Sequence, residues 1–190
     1  RINNEWGYID NTGAIIIASK FDDVKSFHEG LAAVEINERW GYVDKAGKIV
    51  IQPQFTQAYD FSEGLASVRV KPENSEGKYG YINKRGEIII KPEYPSAVDF
   101  SEGLAAVYKK SENRDVYIDK AGQKGFNNEF LGAYSFSEGL AVVKGLYTSE
   151  DNYEGANGYI DKTGKPVIEL GDRSVGYFTV GCRSDLFDGL

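Results

Sequence analysis

Phe27-His28-Glu29-Gly30-Leu31-Ala32 is the first of four copies of one phrase, F-x-E-G-L-A, which returns from Phe61, Phe100 and Phe136. The copies lie 34, 39 and 36 residues apart, and periods of roughly 20–50 residues mark stacked or radially arranged repeat units. A second phrase keeps step with the first: Trp6-Gly7-Tyr8-Ile9-Asp10, Trp40-Gly41-Tyr42-Val43-Asp44, Tyr79-Gly80-Tyr81-Ile82-Asn83, Val116-Tyr117-Ile118-Asp119 and Gly158-Tyr159-Ile160-Asp161. From the glycine of the second phrase to the glycine of the first is 23 residues every time, with Val116 once in the glycine's place. The same step from Gly158 reaches Gly181, with Phe178 three residues before it, so a fifth, degenerate unit is present. The units run approximately 5–38, 39–77, 78–113, 114–155 and 156–190 and form a single repeat domain. Between the E-G glycine and the next hairpin glycine the distance varies, at 11, 16, 13 and 19 residues, so one loop per unit absorbs the length variation.

The local chemistry of each unit predicts four short strands. Tyr42-Val43-Asp44 and Lys48-Ile49-Val50-Ile51 flank Asp44-Lys45-Ala46-Gly47, a turn that opens on an Asx acceptor and ends on a glycine able to take positive φ. The device recurs at Asp10, Asn83, Asp119 and Asp161. Pro53 and Pro92 are expected to end the second strand by removing a donor. A third, aromatic segment follows, and Ser-Glu-Gly turns the chain into Leu-Ala-x-Val, apolar on both alternating faces and therefore expected to be covered on both. An up-and-down meander places the Asp-Lys-x-Gly and Ser-Glu-Gly turns on one edge, and the proline passage and the variable loop on the other. The fold class is all-β, with five tandem four-stranded meander repeats. A propeller-like ring is preferred over an open stacked β-array, because the first unit starts at full hydrophobicity without a polar cap.

Composition agrees with that reading and removes several functions. Twenty-two Gly, 13 Tyr and 10 Phe in 190 residues suit short strands joined by tight turns. A net charge of −7 without a basic patch argues against nucleic acid as partner. No apolar run approaches the roughly 18 residues of a membrane span. The single cysteine, Cys182, excludes an internal disulfide or a Cys/His metal cluster.

The run Trp40-Gly41-Tyr42-Val43-Asp44-Lys45-x-Gly47-Lys48-x-Val50-Ile51-x-Pro53, with Phe55 and Phe61-Ser62-Glu63-Gly64-Leu65-Ala66-x-Val68, resembles the bacterial WG-repeat (KWG) family over essentially the whole chain. Tyr79, Asp115 and Asn157 depart from its tryptophan, and Val116 from its glycine. The resemblance implies a bacterial repeat module, often one part of a larger protein, without assigned catalytic residues. The expected location is the cell envelope or outside the cell.

Candidate chemistry is sparse. His28 occupies a position that is serine in Ser62, Ser101 and Ser137, which marks an exposed turn rather than a general base. Glu29, Glu63, Glu102 and Glu138 could ring a cation, but recurrence in every unit points to service within the turn, through backbone N–H groups or Lys45, Lys84, Lys120 and Lys162. Tyr8, Tyr42, Tyr81, Tyr117 and Tyr159, with Phe21, Phe55, Tyr94 and Phe130, are expected in the core. The variable loops 71–78, 109–115 and 145–157 are the place for a partner. The longest carries Tyr147, Glu150, Asp151, Tyr153 and Glu154, aromatic and acidic residues that the fold does not need. The expected function is therefore non-catalytic binding of a protein partner through these loops, with no cofactor and no metal. The alternative is a glycan or cell-envelope ligand held by exposed tyrosines.

Overall fold

A computed structural model describes residues 4–72, 75–146 and 156–169. Every regular element among them is a strand. An N-terminal hairpin joins β1 (Trp6–Ile9) to β2 (Ile15–Phe21). A four-stranded sheet follows, from β3 (Asp23–Val24), β4 (Leu31–Ile36), β5 (Arg39–Asp44) and β6 (Ile49–Phe55), and another from β7 (Gln57–Ala58), β8 (Leu65–Val70), β9 (Lys78–Asn83) and β10 (Ile88–Tyr94). The next has three strands, β11 (Ser96–Ala97), β12 (Leu104–Lys109) and β13 (Arg114–Asp119). The last described sheet has four, β14 (Gly132–Ala133), β15 (Leu140–Leu146), β16 (Ala156–Asp161) and β17 (Pro166–Glu169).

All pairings are antiparallel and each sheet is a meander in chain order. None of the sheets closes into a barrel, and of the two expected architectures this accords with the open β-array. The sheets are out of phase with the sequence units. The aromatic segment and Leu-Ala strand of one unit pair with the hairpin of the next, so a sheet spans 23–55 or 57–94. The break falls after the proline-bearing strand, where the chain steps from β6 to β7 across Thr56 alone.

The glycine of the Trp-Gly phrase is required by a close approach of backbone. A Cβ on Gly41 would stand 2.4 Å from the Ile51 carbonyl oxygen and 2.7 Å from the Pro53 nitrogen. Gly7 and Gly80 face the same obstacle. The cause is a bulge: Trp40 pairs with Phe55 and Tyr42 with Ile51, so the outer strand carries two more residues than its partner over this stretch and folds in over the glycine. Pro53 and Pro92 therefore do not end the strand, as the sequence suggested. They lie inside β6 and β10, at the bulge of strands on the sheet edge, where the missing donor leaves no ladder bond unmade.

The core lies between successive sheets. Tyr42, Tyr81 and Tyr117 are fully buried, as are Ala32, Ala33 and Val34 on β4, and Leu31 beside them is buried to within 8%. Four of the repeat tyrosines lean on the phenylalanine of the following turn: Tyr8 on Phe27, Tyr42 on Phe61, Tyr81 on Phe100 and Tyr117 on Phe136, at ring separations of 4.7–5.0 Å. Their hydroxyls donate to the backbone carbonyls of Lys25, Tyr59, Val98 and Tyr134, always 17 residues on. A buried phenol thus joins one sheet to the next and leaves no polar atom unsatisfied.

Candidate functional site

The two ends of the sheets differ in chemistry. At one end sit the hairpin and Ser-Glu-Gly turns. Asp44 Oδ1 accepts from the Ala46 and Lys48 N–H groups at 2.9 and 3.0 Å, and Asn83 Oδ1 does the same for Arg85 and Glu87, which explains why Asp and Asn interchange there. In the Ser-Glu-Gly turn both central residues have positive φ, +53° at Glu63 and +86° at Gly64, so it is a type I′ turn. A glycine takes such a φ freely, but a glutamate does so only at a cost.

The glutamate holds that conformation because its carboxylate reaches the next unit. Glu29 accepts from Gly64 N–H at 3.0 Å, Glu63 from Gly103 at 3.0 Å and Glu102 from Gly139 at 3.0 Å. The hairpin lysine one unit further on then closes the contact. Lys84 donates to the Glu29 carbonyl at 2.9 Å and pairs with its carboxylate at 3.1 Å; Lys120 repeats this on Glu63 at 3.0 and 2.9 Å. Burial acts to raise the Glu29 and Glu63 carboxyls, but the lysine and backbone N–H groups outweigh it and hold both below the ordinary carboxylate range. The glutamates therefore tie units together. Among the described residues, no group of three or more His, Cys, Asp or Glu is placed to hold a metal ion.

The serines of this turn also link units: Ser62 Oγ donates to Phe100 O at 2.7 Å and Ser101 Oγ to Phe136 O at 2.6 Å. His28, in the serine's place, is exposed as expected, and its Nε2 stands 3.3 Å from the Asp60 carboxylate of the following unit.

The opposite end carries the loops. The β4–β5 connection is two residues, Asn37 and Glu38, both at positive φ. β8 and β9 are joined by residues 71–77, and β12 and β13 by 110–113. Tyr147, Glu150, Asp151, Tyr153 and Glu154 lie outside the described residues. What the sequence reading missed is a half-exposed strip beside these loops. Lys25 Nζ sits 4.2 Å above the Tyr59 ring and 5.8 Å from that of Trp40, Tyr59 packs on Tyr79 at 6.1 Å, and Arg69 caps the Tyr79 ring at 5.7 Å. The Tyr79 hydroxyl donates to Gln57 Oε1. Alternating cations and aromatic faces of this kind suit a polar macromolecular surface. The one trace of it in the sequence is that Trp40 and Tyr79 hold the same position of the hairpin phrase, at the mouth of the loops, and the rest comes from other segments.

Three of the repeat tyrosines offer no such face: Tyr42, Tyr81 and Tyr117 are buried, whereas Tyr8 and Tyr159 are half-exposed.

Fold and site together define an all-β tandem-repeat protein whose units are joined at one end and vary at the other. The model of the WG containing repeat matches at residues 6–40, 40–71 and 79–111, and the chain belongs to that family. No curated protein matches it. Among solved structures, a protein of unknown function from Bacteroides caccae is similar at 15% identity, covering 87% of this chain and 74% of its own, with a TM-score of 0.35.

Proposed function

We propose that the chain is a non-catalytic interaction module that offers the loop end of its sheets to a protein partner. The observation that carries this reading is the contrast in freedom between the two ends. At the Ser-Glu-Gly end every described turn has one length and is fixed by bonds from neighbouring units, whereas the connections at the other end run from two residues to nine. Sequence that a fold does not constrain is available for recognition. The strip of Lys25, Trp40, Tyr59, Arg69 and Tyr79 adds a semi-rigid surface of the composition that interfaces favour.

Photo-crosslinking tests it. A photoreactive residue at Glu76 or Ser111, beside the loops, is expected to give discrete adducts in cell extract, and one at Arg85 or Ala121, in the hairpin turns, none. Adducts from the hairpin turns alone would overturn the proposal. Replacing Tyr147 and Tyr153 with alanine should weaken those adducts while leaving the melting temperature unchanged.

A further inference from the structure

We infer that the cation–aromatic strip at the loop end binds an acidic peptide segment of the partner, with a carboxylate on Arg69 and the segment running over Tyr79 and Tyr59 toward Lys25. The inference rests on the loop-end reading above and adds the chemistry of what docks there. Lys25 and Arg69 are half-buried cations, each over an aromatic ring, and among the described residues neither is ion-paired with a carboxylate. Lys109, also half-buried, shows the usual arrangement, with Glu112 paired to it at 2.9 Å. The acids near Lys25 are engaged elsewhere. Asp99 feels the Lys25 charge but accepts from the Ser67 hydroxyl at 2.8 Å, and Asp60 faces His28 at 3.3 Å. Arg69 Nε is buried without a hydrogen-bond partner among the described residues, under Gly77, where a Cβ would stand 2.7 Å from it. A cation held against a ring is fixed in advance and keeps N–H donors for an incoming oxyanion.

The fold does not call for these side chains. Lys25 and Tyr59 hold the place whose backbone carbonyl accepts the repeat tyrosine hydroxyl, and the next two units put Val98 and Tyr134 there with the same bond intact. Arg69 lies opposite Tyr79 as Glu35 lies opposite Trp40 and Tyr108 opposite Asp115. In the third sheet the corresponding residues are therefore Val98, Tyr108 and Asp115, with no cation among them. A row confined to the first two sheets answers a ligand and not the stacking of units.

The same register gives the strip a direction. Glu35 and Arg69 occupy one position in successive sheets, so the strip is negative beside Trp40 and positive beside Tyr79. Asp22, Asp23 and Glu38 crowd their charges around Glu35. Repulsion from these four acids bars a carboxylate from the Trp40 end and directs it to Arg69. Nucleic acid, whose phosphates would run the length of the strip, meets that barrier on a chain of net charge −7. A sugar would stack on ring faces that Lys25 and Arg69 take up. An extended peptide uses the strip as it stands, pairing a side-chain carboxylate with the Nη groups that Gly77 leaves clear.

The test titrates the whole chain, labelled for amide NMR, with hexaglutamate capped at both ends. Saturable shifts are expected at Tyr59, Gly77 and Tyr79, and none at Gly47 and Gly86 in the hairpin turns. Arg69→Gln should weaken binding about tenfold and Lys25→Gln about threefold. Glu35→Gln should tighten it about twofold, a gain that structural damage does not produce. Shifts of the remaining amides that match the parent chain verify the fold of each variant. Absence of saturable shifts at millimolar hexaglutamate would overturn the inference, as would equal binding of capped hexalysine or binding indifferent to Arg69→Gln. Heparin binding at the strip in place of hexaglutamate would make an acidic polysaccharide the occupant and overturn it too. Crosslinked adducts at Glu76 that survive both Arg69→Gln and Lys25→Gln would sink this inference alone and leave the loop-end reading standing.

Discussion

The sheet of β7–β10 and the sheet of β11–β13 are the same repeat folded to two outcomes. In the first, Gly86 to Tyr94 forms an outer strand that folds in over Gly80. In the second, the equivalent run Gly122 to Phe130 forms no strand: Lys124 bridges Ile118 and Phe130 bridges Asp115, as Ile88 pairs with Ile82 and Tyr94 with Tyr79. Between these points the regular ladder is lost, with Gly125 N–H still donating to Tyr117 O at 2.9 Å, and β13 carries Val116 where β9 has Gly80. Phe126 takes the place of Ile90 and packs on Tyr117 at 5.3 Å. It also meets the next hairpin glycine, Gly164, as Ile90 meets Gly122. The contact between units thus survives loss of the strand that supplied it. In this array the joints between units, and not the outer strands, are the fixed part.

The comparison breaks most visibly at Gly80. Gly80→Val would place a Cβ 2.5 Å from Ile90 O and 2.7 Å from Pro92 N, and both are backbone atoms that a rotamer change cannot move. The outer strand must lift away, at a cost of about 3 kcal/mol or more. Urea unfolding measures it, and a loss below about 1 kcal/mol would show that β10 can leave β9 as readily as 122–130 has left β13.

The reciprocal change sharpens the same point with a smaller effect. Val116 is fully buried in one core cluster with Tyr94 and Phe100. Val116→Gly removes its side chain without restoring the strand, because Lys124-Gly125-Phe126 lacks the aliphatic run of Ile88-Ile89-Ile90. The expected loss is about 2 kcal/mol, from the cavity and the extra backbone freedom. A gain in stability would mean that glycine alone recruits the outer strand.

These two sheets also show what could be read from residues in order. Repeat length, strand number, Asx turns and core tyrosines were legible because each depends on local spacing: Asp44 bonds Ala46 and Lys48, and Tyr42 meets Phe61 at a fixed offset. The phase of the sheets was not legible, because a period of near 38 residues fits any starting point, and only pairing such as Ala32 with Val43 selects one. Pro53 misled for a related reason. Proline excludes a central ladder position, but β6 is an edge strand and bulged there, so the rule does not bite. The strip of Lys25, Trp40, Tyr59, Arg69 and Tyr79 draws on several strands and connections, and no window of sequence contains it.

The smallest effect tests the joints themselves. Glu63→Gln keeps the shape of the side chain and its ability to accept from Gly103 N–H, but removes the charge that faces Lys120. The pair is partly exposed and screened by solvent, so the loss at neutral pH should be about 0.5–1 kcal/mol. Its pH dependence carries the information. The folded carboxyl lies below its unfolded value, so its stabilisation is complete above the ordinary carboxylate range and fades as pH falls through the lower, folded value. Asp99 acts with the opposite sign. Burial, helped by the Asp60 charge, raises it against the Ser67 hydroxyl bond, so acidification toward its raised value favours the folded state. Total stability against pH therefore mixes the two, and only the difference between the parent chain and Glu63→Gln isolates the joint. That difference should be constant near neutrality and fade in urea titrations as pH falls through the lower, folded value. A difference that persists unchanged in acid would mean that Glu63 joins the units by its shape and hydrogen bonding, with its charge contributing nothing.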